Sequence, residues 1–187
     1  IREPLHRSTP KEMDEDDIAR VIRAYGQAAR RCKEGGLDGV ETLAAGHLIG
    51  QFLSPAMNQR TDRFGGSFES RLRFPLMVHQ EIRRQVGPDF IVGMRLPVEE
   101  GGEGWMSLDD CIKAAQVLEA EGGLDFFNAI YGRSDTERDR AAIGFEHNVS
   151  ALQALGTGIG RAIHAGHHDT LGAIWCAQIA GDLGGER

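Results

Sequence analysis

The chain has 187 residues, 41% of them hydrophobic and 26% charged, with a formal net charge of −7. That length and balance describe a globular chain with a core of its own and exclude a disordered one. The acidic balance also argues against a nucleic-acid surface, which needs a basic patch, and leaves a small-molecule site open.

The first predicted element is a helix over Asp14–Lys33. Ile18, Val21, Ile22, Tyr25, Ala28, Ala29 and Cys32 recur at spacings of three and four and form one apolar face. Asp14 is placed to cap it, the acidic run after Asp14 suits the positive end of the helix dipole, and Gly35 and Gly36 stop it. A short strand follows near Gly39–Leu43. About twenty residues then read as neither strand nor helix, an unusual length for a connection without a role of its own. Ser67 is placed to cap a second helix running to about Val86, with Pro75 inside it implying a kink or a late start. "GPD" at 87–89 reads as a turn, "FIVGMRL" at 90–96 as a buried strand and "PVEEGGEGW" as a second loop. Ser107 with Asp110 resembles a capping box opening a third helix. Gly122 and Gly123 end that helix, and "DFFNAIY" at 125–131 is a third strand.

The order helix, strand, helix, strand, helix, strand implies a parallel sheet with right-handed crossovers. "EGGLD" occurs at Glu34–Asp38 and again at Glu121–Asp125, each time joining a helix to a strand. A repeated βα unit favours a (β/α)8 barrel over a doubly wound sheet. No glycine-rich nucleotide fingerprint follows any of the strands. In either fold the site sits at the C-terminal ends of the strands, where the long loop, "PVEEGGEGW" and "GRSDTERDR" emerge.

No basic-then-apolar leader opens the sequence, and the nearly apolar run around Leu171–Ala180 is too short to span a bilayer. The expectation is a cytoplasmic protein with no membrane contact. Cys32, Cys111 and Cys176 are too few and too scattered for a disulfide framework or a zinc site. His164, His167 and His168 lack a carboxylate partner at ligand spacing, so no metal is expected. "GTGIG" at 156–160 lies off any clear strand and is weak evidence for a phosphate cradle.

"DGVE", "QFLSP", "N-x-R-T-D", "F-G-G-S" and "E-x-R-x-RF" occur in order as Asp38–Glu41, Gln51–Pro55, Asn58–Asp62, Phe64–Ser67 and Glu69–Phe74. This run resembles the old yellow enzyme family of flavin-dependent oxidoreductases, and "VGPDFIVGMRLP" at 86–97 resembles that family's next strand. The resemblance covers roughly residues 5 to 135. It implies a (β/α)8 TIM-type barrel that binds FMN at its C-terminal mouth and takes a small-molecule substrate, with NAD(P)H or an electron-transfer partner completing the cycle.

Where the family usually carries a His-Ala-Ala-His or His-Ala-Ala-Asn run, this sequence has Leu43 and Gly46 in the two outer positions. "GHL" at 46–48 instead resembles the branch of trimethylamine dehydrogenase and the N-methyl amino acid demethylases. The resemblance therefore implies oxidative N-demethylation ahead of NAD(P)H-dependent alkene reduction. In that reaction hydride passes from an N-methyl carbon to the flavin, and the iminium hydrolyses to formaldehyde. It implies that Arg95 binds the cofactor along the flavin's pyrimidine edge. His47 is the candidate catalytic residue, holding or orienting the substrate amine or carboxylate, against the alternative of a loop histidine bonded to backbone. Asn58 to Phe74 reads as architecture, with Arg60, Asp62 and Arg71 locking the loop.

A barrel of this kind needs about 250 residues, and three βα units are legible. Residues 1–145 are expected to form a partial FMN-dependent barrel, and 146–187 an unassigned tail in which no strand pattern is clear. Weak or absent FMN binding by the chain alone follows, as does self-association through an open barrel edge. A non-catalytic half-barrel that does not hold flavin stands as the alternative from another class.

Overall fold

The computed structural model describes residues 11–130 and the backbone of residues 175–178. Helix α1, Glu15–Glu34, starts where Asp14 accepts the backbone N–H of Asp17 at 2.9 Å. Strand β1, Gly39–Leu43, leads into a short helix α2, Leu48–Leu53, and then a long α3, Phe68–Val86. Ser67 caps α3 through the N–H of Ser70. Strand β2 is Ile91–Pro97, and α4, Leu108–Gly122, opens on a reciprocal capping box between Ser107 and Asp110. Strand β3, Phe126–Ile130, completes the third unit.

Strands β1, β2 and β3 are parallel neighbours, with Leu43 opposite Arg95 and Arg95 opposite Asn128. Side chains alternate across the sheet. Thr42, Val92, Met94, Leu96, Phe127 and Ala129 are buried in the core, and Thr42 bonds to α3. The other parity (Glu41, Leu43, Ile91, Gly93, Arg95, Phe126, Asn128) therefore lies on the opposite, concave face. Leu43 and Ile91 on that face are 37% and 47% exposed, as an inner barrel face is when its other strands do not cover it. Helix α1 packs along α3, and α3 along α4. The first contact is close enough that a Cβ on Gly26 would lie 2.8 Å from Glu81 Cγ.

Four expectations are modified. The connection after β1 is not structureless, because Leu48–Leu53 forms a helical turn and a half. Ile49, Phe52 and Leu53 are buried along it, and this packing stabilises a helix too short to form in isolation. Helix α3 starts at Phe68 and runs through Pro75 without a late start. Strand β2 is shifted by one residue from the expected bounds, and β3 starts one residue later than expected, at Phe126. Finally, a strand does form in the tail: β4, Trp175–Gln178, inside the apolar run, pairs antiparallel with β3. The array is thus a parallel three-stranded piece of a (β/α) barrel with one reversed strand at the edge of β3. Tyr131, "GRSDTERDR", "GTGIG" at 156–160 and His164, His167 and His168 lie outside the described residues.

His79 sits on α3 at 0% exposure and ties that helix to the sheet. Its Nδ1 lies 2.8 Å from the Pro75 carbonyl, which can only accept, so Nδ1 carries the proton. Nε2 then accepts from the Thr42 hydroxyl at 2.8 Å. Burial holds the imidazole neutral and lowers its pKa to about 4, against a smaller upward pull from the Pro75 carbonyl.

Candidate functional site

The loop leaving β1 is built in two parts. Its first part turns at Gly46, whose φ of 70° is in the left-handed region that suits glycine. His47 follows as the N-cap of α2, extended in backbone and exposed in side chain, and it makes no capping bond. Gly50 then abuts the end of β1, where a Cβ would stand 1.9 Å from the Ala44 carbonyl oxygen. Glycine is needed here because α2 folds directly back on the strand it has just left.

The second part is braced by polar side chains bonding to backbone. Asn58 Nδ2 donates to the carbonyls of Phe52 and Phe64, both at 2.7 Å, while its Oδ1 accepts from Arg60 N–H. Arg60 forks onto Asp62 and reaches the Met13 carbonyl, which ties the loop to the start of α1. That guanidinium, followed by the N–H of Phe64, holds the Asp62 carboxyl below the usual range. Arg71 donates to the carbonyls of Leu53 and Gly66. A Cβ on Gly65 would meet the Arg60 carbonyl oxygen at 2.1 Å, so the chain passes itself at a distance only glycine permits. The charged residues of the loop thus support the segment carrying His47.

On the concave face three polar side chains from three strands meet. Arg95 Nη2 lies 3.1 Å from Glu41 Oε1, and Asn128 Nδ2 donates to Glu41 Oε2 at 2.9 Å. Glu41 and Asn128 belong to β1 and β3, so their bond passes over β2. The Gly93 position allows the crowding there, because a Cβ at 93 would fall 2.1 Å from the Phe126 ring. Two buried atoms of the cluster, Arg95 Nε and Asn128 Oδ1, have no hydrogen-bond partner. A buried donor and a buried acceptor left unpaired on facing register positions are costly in a folded chain. They become favourable when a group offering the complementary atoms lies on that face.

Arg95 and His47 lie at the C-terminal ends of adjacent strands, joined through backbone by Ala44 N–H to the Arg95 carbonyl at 2.9 Å. No hydrogen bond or ion pair links their side chains. The loop after β2 folds over on itself, with Glu100 buried and accepting the Met106 N–H at 3.0 Å. Glu41 and Asn128 were not singled out by sequence reasoning. The available signal was the charged residue of "GVETL" and the polar one of "FFNAI", each three positions after the "EGGLD" repeat. A cleft of about 420 Å³ lies at the other end of the strands, beside Arg83 and Gly123. There the Arg83 guanidinium is spent on the Gly123, Gly87 and Phe90 carbonyls and on Asp125, so that end reads as structural. Among the described residues no cluster of three His, Cys, Asp or Glu side chains is arranged to hold a metal, and no helix is long and apolar enough to cross a membrane.

The model of the NADH:flavin oxidoreductase / NADH oxidase family matches residues 2–131. The chain belongs to this family. It is 50% identical over 137 residues to a multifunctional alkene reductase/demethylase (OYE) of Caballeronia cordobensis, covering 73% of this chain and 20% of that protein. It is 46% identical over 144 residues to an N,N-dimethylglycine/sarcosine dehydrogenase of Chromohalobacter salexigens, covering 76% and 21%. Among solved structures it resembles a 2-naphthoyl-CoA reductase in complex with 2-naphthoyl-CoA. That likeness has a TM-score of 0.67 and 37% identity over 72% of this chain and 21% of the other. The chain spans about a fifth of the length of the curated relatives it matches. The family's flavin enzymes and the barrel fold agree with what the strand order and the motif run from Asp38 to Phe74 had implied.

Proposed function

We propose that this segment forms part of the active-site mouth of an FMN-dependent oxidoreductase that removes an N-methyl group from a small amine. The residues fit the cofactor: the unpaired Arg95 Nε and Asn128 Oδ1 offer one donor and one acceptor, which the pyrimidine edge of a flavin can match. When bound, FMN supplies a two-electron acceptor for hydride. Arg95 places a fixed positive charge where the reduced ring becomes anionic, and it does so without reorganising.

The observation that favours demethylation stands at the end of β1. Leu43 projects onto the concave face and Gly46 has no side chain, so neither offers a hydrogen bond to polarise a substrate carbonyl. His47 alone remains on that segment, exposed and without a bond of its own. An N-methyl amine needs no polarised carbonyl. Its methyl carbon loses a hydride, water adds to the iminium, and the C–N bond breaks to give formaldehyde and the demethylated amine. His47 would hold the substrate's carboxylate when protonated or orient the amine when neutral. The dimethylglycine/sarcosine dehydrogenase among the relatives supports this substrate class. The relative named for both alkene reduction and demethylation supports alkene reduction with NAD(P)H as the second reading.

The test is anaerobic mixing of the full-length, FMN-loaded protein carrying this segment with N,N-dimethylglycine. Bleaching of the flavin with one formaldehyde per flavin reduced supports the proposal. Bleaching by NAD(P)H alone, followed by reoxidation with an activated alkene, would move the assignment to alkene reduction. A colourless protein that takes up no FMN would leave the segment as a scaffold.

A further inference from the structure

We infer that Glu41 is a positioning residue for the flavin chemistry: its carboxylate offsets the charge of Arg95 and so sets how strongly the mouth stabilises the reduced cofactor. The inference rests on the reading of Arg95 as the flavin's partner and goes beyond it by assigning a role to the residue behind it.

Three observations carry it. Glu41 opposes the Arg95 guanidinium at 3.1 Å from the neighbouring strand. Asn128, 4% exposed, donates to the second carboxylate oxygen at 2.9 Å. With each oxygen engaged from a different strand, the carboxylate is fixed. The pairing also takes up Nη2 and leaves the buried Nε free. Glu41 therefore does not occupy the arginine fully. It holds one corner of the fork and leaves another corner available.

The electrostatic consequence has a definite sign. A lone guanidinium favours the anionic, reduced flavin over the neutral, oxidised one. A carboxylate within ion-pair distance of that guanidinium cancels part of its field at any third point nearby. With FMN bound against it, the partly offset guanidinium would favour the reduced form less than a lone one would. Removing the Glu41 charge while keeping the shape of the side chain strengthens the hold on the reduced form. Asn128 can accommodate the change, because its amide presents the unpartnered Oδ1 to a new N–H donor when it turns over.

The two-electron reduction potential of FMN, measured in the full-length loaded protein, tests this with three variants. Glu41→Gln is expected to raise it by a tenfold or greater change in the reduced-to-oxidised equilibrium, about 30 mV. Glu41→Met, uncharged and of similar length, reports the same sign should the glutamine variant fold poorly. Arg95→Ala is expected to lower the potential. If Arg95→Ala lowers it while both Glu41 variants match the parent, the role of Glu41 is overturned and that of Arg95 stands. If Arg95→Ala leaves the potential unchanged, the placement of the flavin against Arg95 fails, and this inference fails with it.

Discussion

The buried histidine of α3 makes the stability of this fold depend on pH in a way that can be measured. His79 has an ordinary pKa of 6.5 in the unfolded chain and about 4 in the folded one, because full burial penalises the charged ring. Between those values the unfolded chain binds more protons, so stability rises with pH there. The contribution is complete above about 6.5 and is lost as the pH falls toward 4. The span of 2.5 between the two pKa values, at 1.36 kcal/mol each, gives roughly 3 kcal/mol in all, of which about 2 kcal/mol is lost between pH 7 and pH 5. That is a large share of a typical domain's stability. The window matters, because Asp17, drawn down to about 2 by Lys11 and then Arg20, stays ionised throughout it. Urea unfolding of the chain at pH 7 and pH 5, at fixed ionic strength, should show the parent losing about 2 kcal/mol. His79→Gln, which cannot titrate, should be less stable at pH 7 and nearly flat across the window. Equal pH slopes in parent and variant would refute the account and would mean that the imidazole is charged or hydrated in the folded state.

Three further outcomes follow from the site. In the full-length flavoprotein, Arg95→Ala should slow flavin reduction by substrate roughly 10²–10³-fold, the scale for removing one charge-stabilising donor. Its FMN content should change far less, and an unchanged stopped-flow rate would show that Arg95 is remote from the ring. His47→Gln should raise KM or lower the reduction rate with FMN content intact. Loss of flavin with normal kinetics in the surviving fraction would make His47 a scaffold residue. Gly50→Ala forces a Cβ to within 1.9 Å of the Ala44 carbonyl oxygen, so backbone must move. The expected cost is roughly 1–3 kcal/mol by thermal or urea unfolding, and a variant as stable as the parent would mean that α2 docks elsewhere.

The sequence by itself determined the order of the three long helices and three parallel strands between residues 14 and 130, because each of these carries a local signal. Asp14, Ser67 and Ser107 are capping residues whose bonds close within three positions, and the apolar faces of α1, α3 and α4 repeat at helical spacing. It also determined the family, through the ordered motif from Asp38 to Phe74. Tertiary structure decided what no local signal could. Leu48–Leu53 is helical because packing buries Ile49, Phe52 and Leu53, a gain invisible in a run of six residues. Trp175–Gln178 is a strand because β3 offers it an edge. Arg95 was legible as a site residue only through the resemblance. Glu41 and Asn128 became part of its site only when parallel pairing placed positions 41, 95 and 128 on one face. The "EGGLD" repeat sets Glu41 and Asn128 at equivalent positions 87 residues apart, but only the register of the sheet decides that these two side chains meet, with Arg95 between them.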